Sequence, residues 1–545
     1  MKPSGSKIFH SMMTVTVFSA MTRTLGFIFK VFISRKFGAE AVGLYQIALS
    51  VILMILAFSA SGIPPVLSRK VAELTAKGQN ARASAMLTAS IIICGGLSLL
   101  FIGLFLALKP LLPYIFSDRR CIPLFLTMLP ALFSTSIYSS LRSYFWGRKQ
   151  FSTFSLAELM EELFKLLFTM LLAAGIFAAV TGAMAIAVAI AVGDFVSLII
   201  LFLIFLKRGG RLKRPHGFSE LVKQSLPLTA TRGASNILNS LTAIIIPSRL
   251  VAAGLTVAEA TAMFGRMTGM ALPLLMAPTI LTGALSVVLI PELASASAEK
   301  KQDEIARRVK SSILFCVVIS GIFAIMYIPL GEPLVRFLFK DEIAGKLLSL
   351  AAVTIYPISL NQITSTVLNS LGHERRTFIN YAAGAAVLLP SLIFLPKYIG
   401  IIGMAAGTGI CFFITTLLNV LSIRKIIKGP ILDLKKITAA LLLAVPCVLI
   451  GMLSERFLSR WFTDFYRIVL ITAVSVGLYS AAVLAFKIID FKVVAFLKSL
   501  GRSGIDVLKI KKSSEKSTKK SFTQKLRAKK FGRAASKANK PAPNS

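Results

Sequence analysis

Acidic residues, cysteines and histidines are all scarce in this chain of 545 residues: 23 Asp and Glu stand against 62 Lys and Arg, with five cysteines and three histidines. Cys94, Cys121, Cys316, Cys411 and Cys447 are scattered through apolar stretches without CxxC or paired spacing. That pattern excludes a disulfide framework and a cysteine metal site, and reads as small apolar packing residues. His10, His216 and His373 are equally dispersed, near span ends or in loops. With no catalytic triad, P-loop or HExxH motif, neither an enzyme nor a metal centre nor a resident cofactor is expected. Charge is sparse as well: 16% of residues are charged and 55% hydrophobic. The mean hydropathy of +0.77 excludes an ordinary soluble domain of this length.

What remains is the composition of an all-α polytopic membrane protein. Apolar stretches near twenty residues, long enough for a hydrocarbon core of ~30 Å, fall at 9–33, 42–65, 84–108, 121–145, 156–178, 182–206, 224–248, 267–291, 310–330, 347–371, 377–396, 400–423, 437–456 and 465–487. They make about fourteen transmembrane helices. The first stretch is long, is interrupted by charge and lacks a small-residue cleavage site, so it reads as a span and not as a signal peptide.

Net charge is +39, and its placement points to orientation and membrane-surface contact before nucleic acid. Alternate loops hold the cations, as in Arg69, Lys70, Lys77 and Arg82, or Lys207, Arg208, Arg211, Lys213 and Arg214, whereas the connection near Thr181 has none. Because Lys and Arg are retained inside, both termini are expected in the cytoplasm. The tail, residues 491–545, is rich in Lys, Arg and Ser and poor in apolar residues. It reads as a disordered solvated segment or as a dedicated binding element, and either way attracts anionic lipid at ~1 kcal/mol per cation near the surface.

A weak internal repeat organises the spans. "SRKFGAEAVGLYQIALSVILMILAFSASGIPPVL" lays over "SRLVAAGLTVAEATAMFGRMTGMALPLLMAPTILTGALSVVLIPEL", and "SSLRSYFWGRKQF" parallels "STVLNSLGHERRTF". Two six-helix lobes in pseudo-twofold arrangement are expected, an N-lobe at 1–215 and a C-lobe at 216–430, followed by two extra helices at 431–490.

The first span raises the functional question. Thr16, Ser19, Arg23, Gly26 and Lys30 recur every three or four residues and share one helical face. A central charge costs ~2.5 to 3.5 kcal/mol in lipid on the insertion scale, so the stripe faces a water-filled cavity or the other lobe, or is held in a structural ion pair. The membrane acids available are Glu158, Glu161, Glu162, Asp194 and Glu292. Glu161 and Glu162 precede Lys165 by four and three residues, so that span largely neutralises itself. This leaves Arg23, Lys30, Arg232 and Arg266 as an expected cationic cleft suited to an anionic ligand, with Arg able to fork onto a phosphate. Asn236, Asn239, Asn361 and Gln362 are polar cleft residues or interhelical hydrogen-bond glue. Pro64, Pro65, Pro273, Pro278, Pro291 and Pro357 are candidate hinges.

At "TRTLGFIFKVFISRKFGAEAVGLYQ", followed by "SGIPPVLSRKVAE" and "LRSYFWGRKQF", the chain resembles the stage V sporulation protein B family of polysaccharide exporters. These share a superfamily with MATE antiporters and MurJ-like lipid II flippases. The resemblance covers roughly residues 8–488. It implies a bacterial plasma-membrane flippase that moves an undecaprenyl-diphosphate-linked saccharide, a lipid II-like cell-wall or spore-cortex precursor, by alternating access. The R-x-L-G-F element of MurJ-like proteins matches Arg23, Leu25, Gly26 and Phe27, and a cleft arginine of their eighth span matches Arg266. The second arginine and adjacent acid that follow that element in MurJ-like proteins are replaced here by Phe29 and Lys30.

Sodium or proton coupling through Glu158, Glu161 or Asp194, or drive by the membrane potential, is the expectation for energy input. A MATE-like cation-coupled drug exporter is the alternative, and a scaffold recruiting cell-wall synthesis enzymes through the tail is a third reading.

Overall fold

In a computed structural model, the structure describes residues 5–175, 182–427 and 429–488, with side chains from Val17 onward. The uncharged connection at Thr181 and the basic tail at 491–545 lie outside the described residues. Every element among the described residues is helical. Contacts gather the described residues up to Val483 into one compact unit.

In chain order the principal helices are α1 (Gly5–Ala60), α2 (Ile63–Ala76), α3 (Asn80–Ala107), α4 (Cys121–Met128), α5 (Ala131–Gly147), α6 (Phe151–Ala173), α7 (Gly182–Lys207), α8 (Phe218–Ala252) and α9 (Val257–Gly265). They continue with α10 (Pro278–Ala298), α11 (Gln302–Phe339), α12 (Glu342–Ala351), α13 (Ile355–Ser370), α14 (Glu374–Ile399), α15 (Ile402–Ile426), α16 (Leu434–Leu458) and α17 (Asp464–Ala485).

Among the described residues ten helices are long and apolar enough to cross a membrane, or eleven if the pair α4 and α5, bent by 42°, counts as one. Length and hydropathy alone therefore do not reproduce the expected figure of about fourteen, for two physical reasons. Val17–Ala76 counts once although it has 60 residues, which at 1.5 Å each is ~90 Å, about three hydrocarbon thicknesses. It is kinked at Gly38, whose φ of 81° and ψ of 173° only glycine adopts readily. A second break at Ser61 and Gly62 precedes α2, which Pro64 and Pro65 open from its first turn. The other reason is polarity, since α6 carries Glu158, Glu161, Glu162 and Lys165.

The span after α8 is also broken. The capping box of Thr256 and Glu259 starts α9, which runs into a π-helical turn at Arg266–Ala271, a short Leu272–Leu275 helix and then α10. Pro273 and Pro278 sit at this break.

Lipid supplies no hydrophobic drive between helices, so close contact depends on small residues and shape. Ala39 and Gly43 on α1 meet Thr261 and Gly265 on α9 at this spacing of four, so closely that a Cβ on Gly265 would fall 2.6 Å from the Gly43 nitrogen. Nearby, Arg120 joins Glu40 at 2.6 Å and Asp118 at 2.8 Å, and Thr261 donates to Asp118 at 3.2 Å. Side chains on the outer faces are apolar and bare, as in Leu442 at 70% and Leu453 at 68% exposure. Such surfaces belong in a bilayer, and the chain is a multi-pass membrane protein.

Candidate functional site

A cavity of ≈ 1040 Å³ opens between the two arms of α1 and helices α5, α6 and α7, with the broken span after α9 closing its far side. Arg23 and Lys30 line it from the first arm of α1, Glu161, Glu162 and Lys165 from α6, and Asp194 from α7. Pro273, Leu274, Met276 and Ala277 bring irregular backbone to its edge, where a water-filled space can satisfy polar groups that hydrocarbon cannot.

Of the stripe read from the first span, Arg23, Gly26 and Lys30 line this cavity. Arg23 is exposed and Lys30 half-buried, and neither forms an ion pair within 4.0 Å among the described residues. A Cβ on Gly26 would lie 3.6 Å from Glu162 Oε2, so the Glu162 carboxylate rests against the glycine between the two cations. Glu161 and Asp194 are engaged deeper in the wall. Lys165 Nζ donates to Glu161 Oε1 at 2.7 Å and lies 3.1 Å from Asp194 Oδ1. Thr135 on α5 donates to Asp194 Oδ2 at 2.9 Å.

The lining thus holds three cations, Arg23, Lys30 and Lys165, and three carboxylates, Glu161, Glu162 and Asp194. The expected net positive cleft does not carry over to this wall, because two of its four cations are elsewhere. Arg266, at the start of the π turn, is not among the lining residues and pairs with Asp341 through Nε at 2.8 Å. Arg232 on α8 donates to the Ser61 carbonyl at 2.7 Å, at the break between α1 and α2.

Other expected site residues also lie off the lining. Glu158 faces Arg142 at 3.6 Å, and Glu292 pairs with Arg308. Asn236 donates to the Arg232 carbonyl at 2.9 Å, Asn239 is exposed, and Asn361 accepts from Ser365 at 3.4 Å. Gln362 accepts from Thr282 across α13 and α10 at 2.8 Å, a glue contact between helices. Sequence reasoning missed Lys165 as a lining residue and Asp341 as the partner of Arg266. The four-residue spacing of Glu161 and Lys165 was the available signal for the first, whereas nothing local announces Asp341. Among the described residues no group of three His, Cys, Asp or Glu side chains is placed to hold a metal ion.

The family model for "Polysaccharide biosynthesis protein" matches residues 9–297, which takes in α1 through α10 and the whole cavity wall. The chain belongs to this family. A curated family relative, Stage V sporulation protein B of Bacillus subtilis (strain 168), is 26% identical over 497 residues, covering 88% of this chain and 96% of that protein. Among solved structures, the lipid II flippase MurJ in an inward closed conformation has a TM-score of 0.66 at 15% identity, covering 86% of this chain and 98% of MurJ. An inward-facing multidrug resistance MATE family transporter of the MOP superfamily has a TM-score of 0.62 at 15% identity, covering 75% and 97%. The family member described here therefore shares the helical fold of MurJ and the MATE transporters.

Proposed function

We propose that the protein is a lipid-linked oligosaccharide flippase that moves an undecaprenyl-diphosphate-linked cell-wall precursor across the bacterial plasma membrane by alternating access. Lobes at 1–215 and 216–430 rock about the cavity, with both termini cytoplasmic, and a lipid II-like precursor for spore cortex peptidoglycan is the proposed cargo. The observation that carries this reading is the pair Arg23 and Lys30 on the cavity wall without carboxylate partners. An arginine fork matches phosphate geometry bidentately, and a lysine adds a point charge two turns away. At ≈ 1040 Å³ the cavity lies at the top of the range for small-molecule sites, which suits a bulky sugar diphosphate whose lipid tail stays in the bilayer. The family assignment and the identity of MurJ as a lipid II flippase support the same cargo.

Native mass spectrometry of the protein released from membranes tests the binding step. Wild type should retain an undecaprenyl-diphosphate saccharide that Arg23→Ala with Lys30→Met loses. Equal retention by both would overturn this placement of the diphosphate.

One observation favours a second reading, MATE-like export of organic cations: Glu161, Glu162 and Asp194 line the same cavity. Efflux of a cationic drug that survives Arg23→Ala and is lost in Glu162→Gln would select it.

A further inference from the structure

The ammonium of Lys165 lies inside the protein between two carboxylates from different helices. Its side chain is 17% exposed, that of Glu161 16% and that of Asp194 10%. The place is built from more than those charges. Gly193, just before Asp194 on α7, has no Cβ where one would stand 3.1 Å from Lys165 Cγ, so the lysine stem lies flat against α7 and delivers its nitrogen to residue 194. Thr135 holds one oxygen of Asp194. The other, Oδ1, is buried and makes no hydrogen bond although the ammonium is 3.1 Å away. That oxygen is held by charge and not by a directed donor. Carboxylate and hydroxyl oxygens of this kind are donors that hard cations accept.

We propose that Lys165 is a tethered counter-ion: its ammonium occupies the position between Glu161 and Asp194 that a free sodium ion would otherwise fill. The cluster then binds no sodium in the native protein, and sodium does not pass through it during the transport cycle. The proposal does not depend on which ligand enters the cavity. It also separates Glu161 and Asp194, which share the Lys165 ammonium, from Glu162, which has no ion pair within 4.0 Å among the described residues.

The test is thermal unfolding of the full chain, purified in detergent, in sodium chloride and in choline chloride at equal ionic strength. The wild-type midpoint should be the same in both salts. Lys165→Ala should unfold at a lower temperature in choline, and its midpoint should climb with sodium concentration, as linkage requires for a ligand bound only by the folded state. Adding Asp194→Asn to Lys165→Ala should abolish the sodium response. If Lys165→Ala does not fold in either salt, Lys165→Ala with Glu161→Gln, which removes one charge of each sign, takes its place and should respond to sodium in the same way. A wild-type midpoint raised by sodium and made insensitive by Asp194→Asn would overturn the proposal. So would a folded lysine-free variant with equal midpoints in the two salts.

Discussion

Gly193 and Lys165 pack stem to backbone: a Cβ at position 193 would stand 3.1 Å from Lys165 Cγ, 3.3 Å from its nitrogen and 3.4 Å from its Cα. Two of those three atoms are backbone and cannot rotate away. Gly193→Val should therefore separate α6 from α7 and destabilise the protein by about 1–3 kcal/mol, the usual cost of overpacking. The check is a lowered unfolding midpoint in detergent; an unchanged midpoint would mean that this contact does not hold α6 against α7.

The close approach of Gly43 and Gly265 fastens α1 to α9 at the Gly38 end of the cavity. A Cβ on Gly265 would collide with the Ala39 carbonyl oxygen and stand 2.9 Å from the Gly43 Cα, so Gly265→Ala must part these helices. A cysteine introduced at Thr261, buried in the native protein, should then react faster with a membrane-impermeant maleimide in the Gly265→Ala background than in the native one. Equal labelling rates would mean that this contact does not hold the end closed.

Arg266 and Asp341 form a part-buried charge pair at 2.8 Å between the π turn and the start of α12, where Asp341 also caps the helix by accepting from the Ala344 nitrogen at 2.9 Å. Removing either partner strands the other. In a double-mutant cycle, Arg266→Met and Asp341→Asn should each lower stability, and the double variant should lose less than the sum, with a coupling of about 0.5–3 kcal/mol. Arg23→Ala should leave the unfolding midpoint unchanged, because it breaks no ion pair.

Equal numbers of cations and carboxylates on the wall decide where voltage acts. With all six groups ionised the empty cavity carries no net charge, so the loaded cavity carries the charge of its ligand. Moving two negative charges outward across 100 mV, inside negative, is favourable by about 4–5 kcal/mol. Outward leaflet exchange should accelerate when a potassium gradient with valinomycin sets the interior negative, and slow when the gradient is reversed. Acceleration in the opposite sense would mean that the reset of an empty, positive cavity is the voltage-dependent step.

The cavity was partly legible in the sequence. The spacing of Ser19, Arg23, Gly26 and Lys30 placed them on one helical face, and the cost of a charge in hydrocarbon made a cavity the natural destination. Both cations indeed line it. Glu161 and Lys165 were legible as a pair because four residues make one turn. What failed was long-range pairing: Arg266 finds Asp341 at a separation of 75 residues, and no periodicity reveals such a partner. The helical passes were legible as apolar runs, Pro273 was a candidate hinge where the span does break, and the charges on α6 stand in the sequence itself, but the kink at Gly38 depends on tertiary surroundings that hydropathy does not register.

Reconstitution in liposomes carrying a fluorescent undecaprenyl-diphosphate saccharide, with leaflet exchange followed by a membrane-impermeant quencher, is the most direct test of lipid-linked transport through this cavity. Wild type and Arg266→Met with Asp341→Asn, scored on folded protein, should both support exchange, whereas Arg23→Ala with Lys30→Met should lose it while keeping its unfolding midpoint. Exchange that continues undiminished in the folded Arg23→Ala, Lys30→Met protein, or that wild type never supports under either polarity of membrane potential, would contradict it.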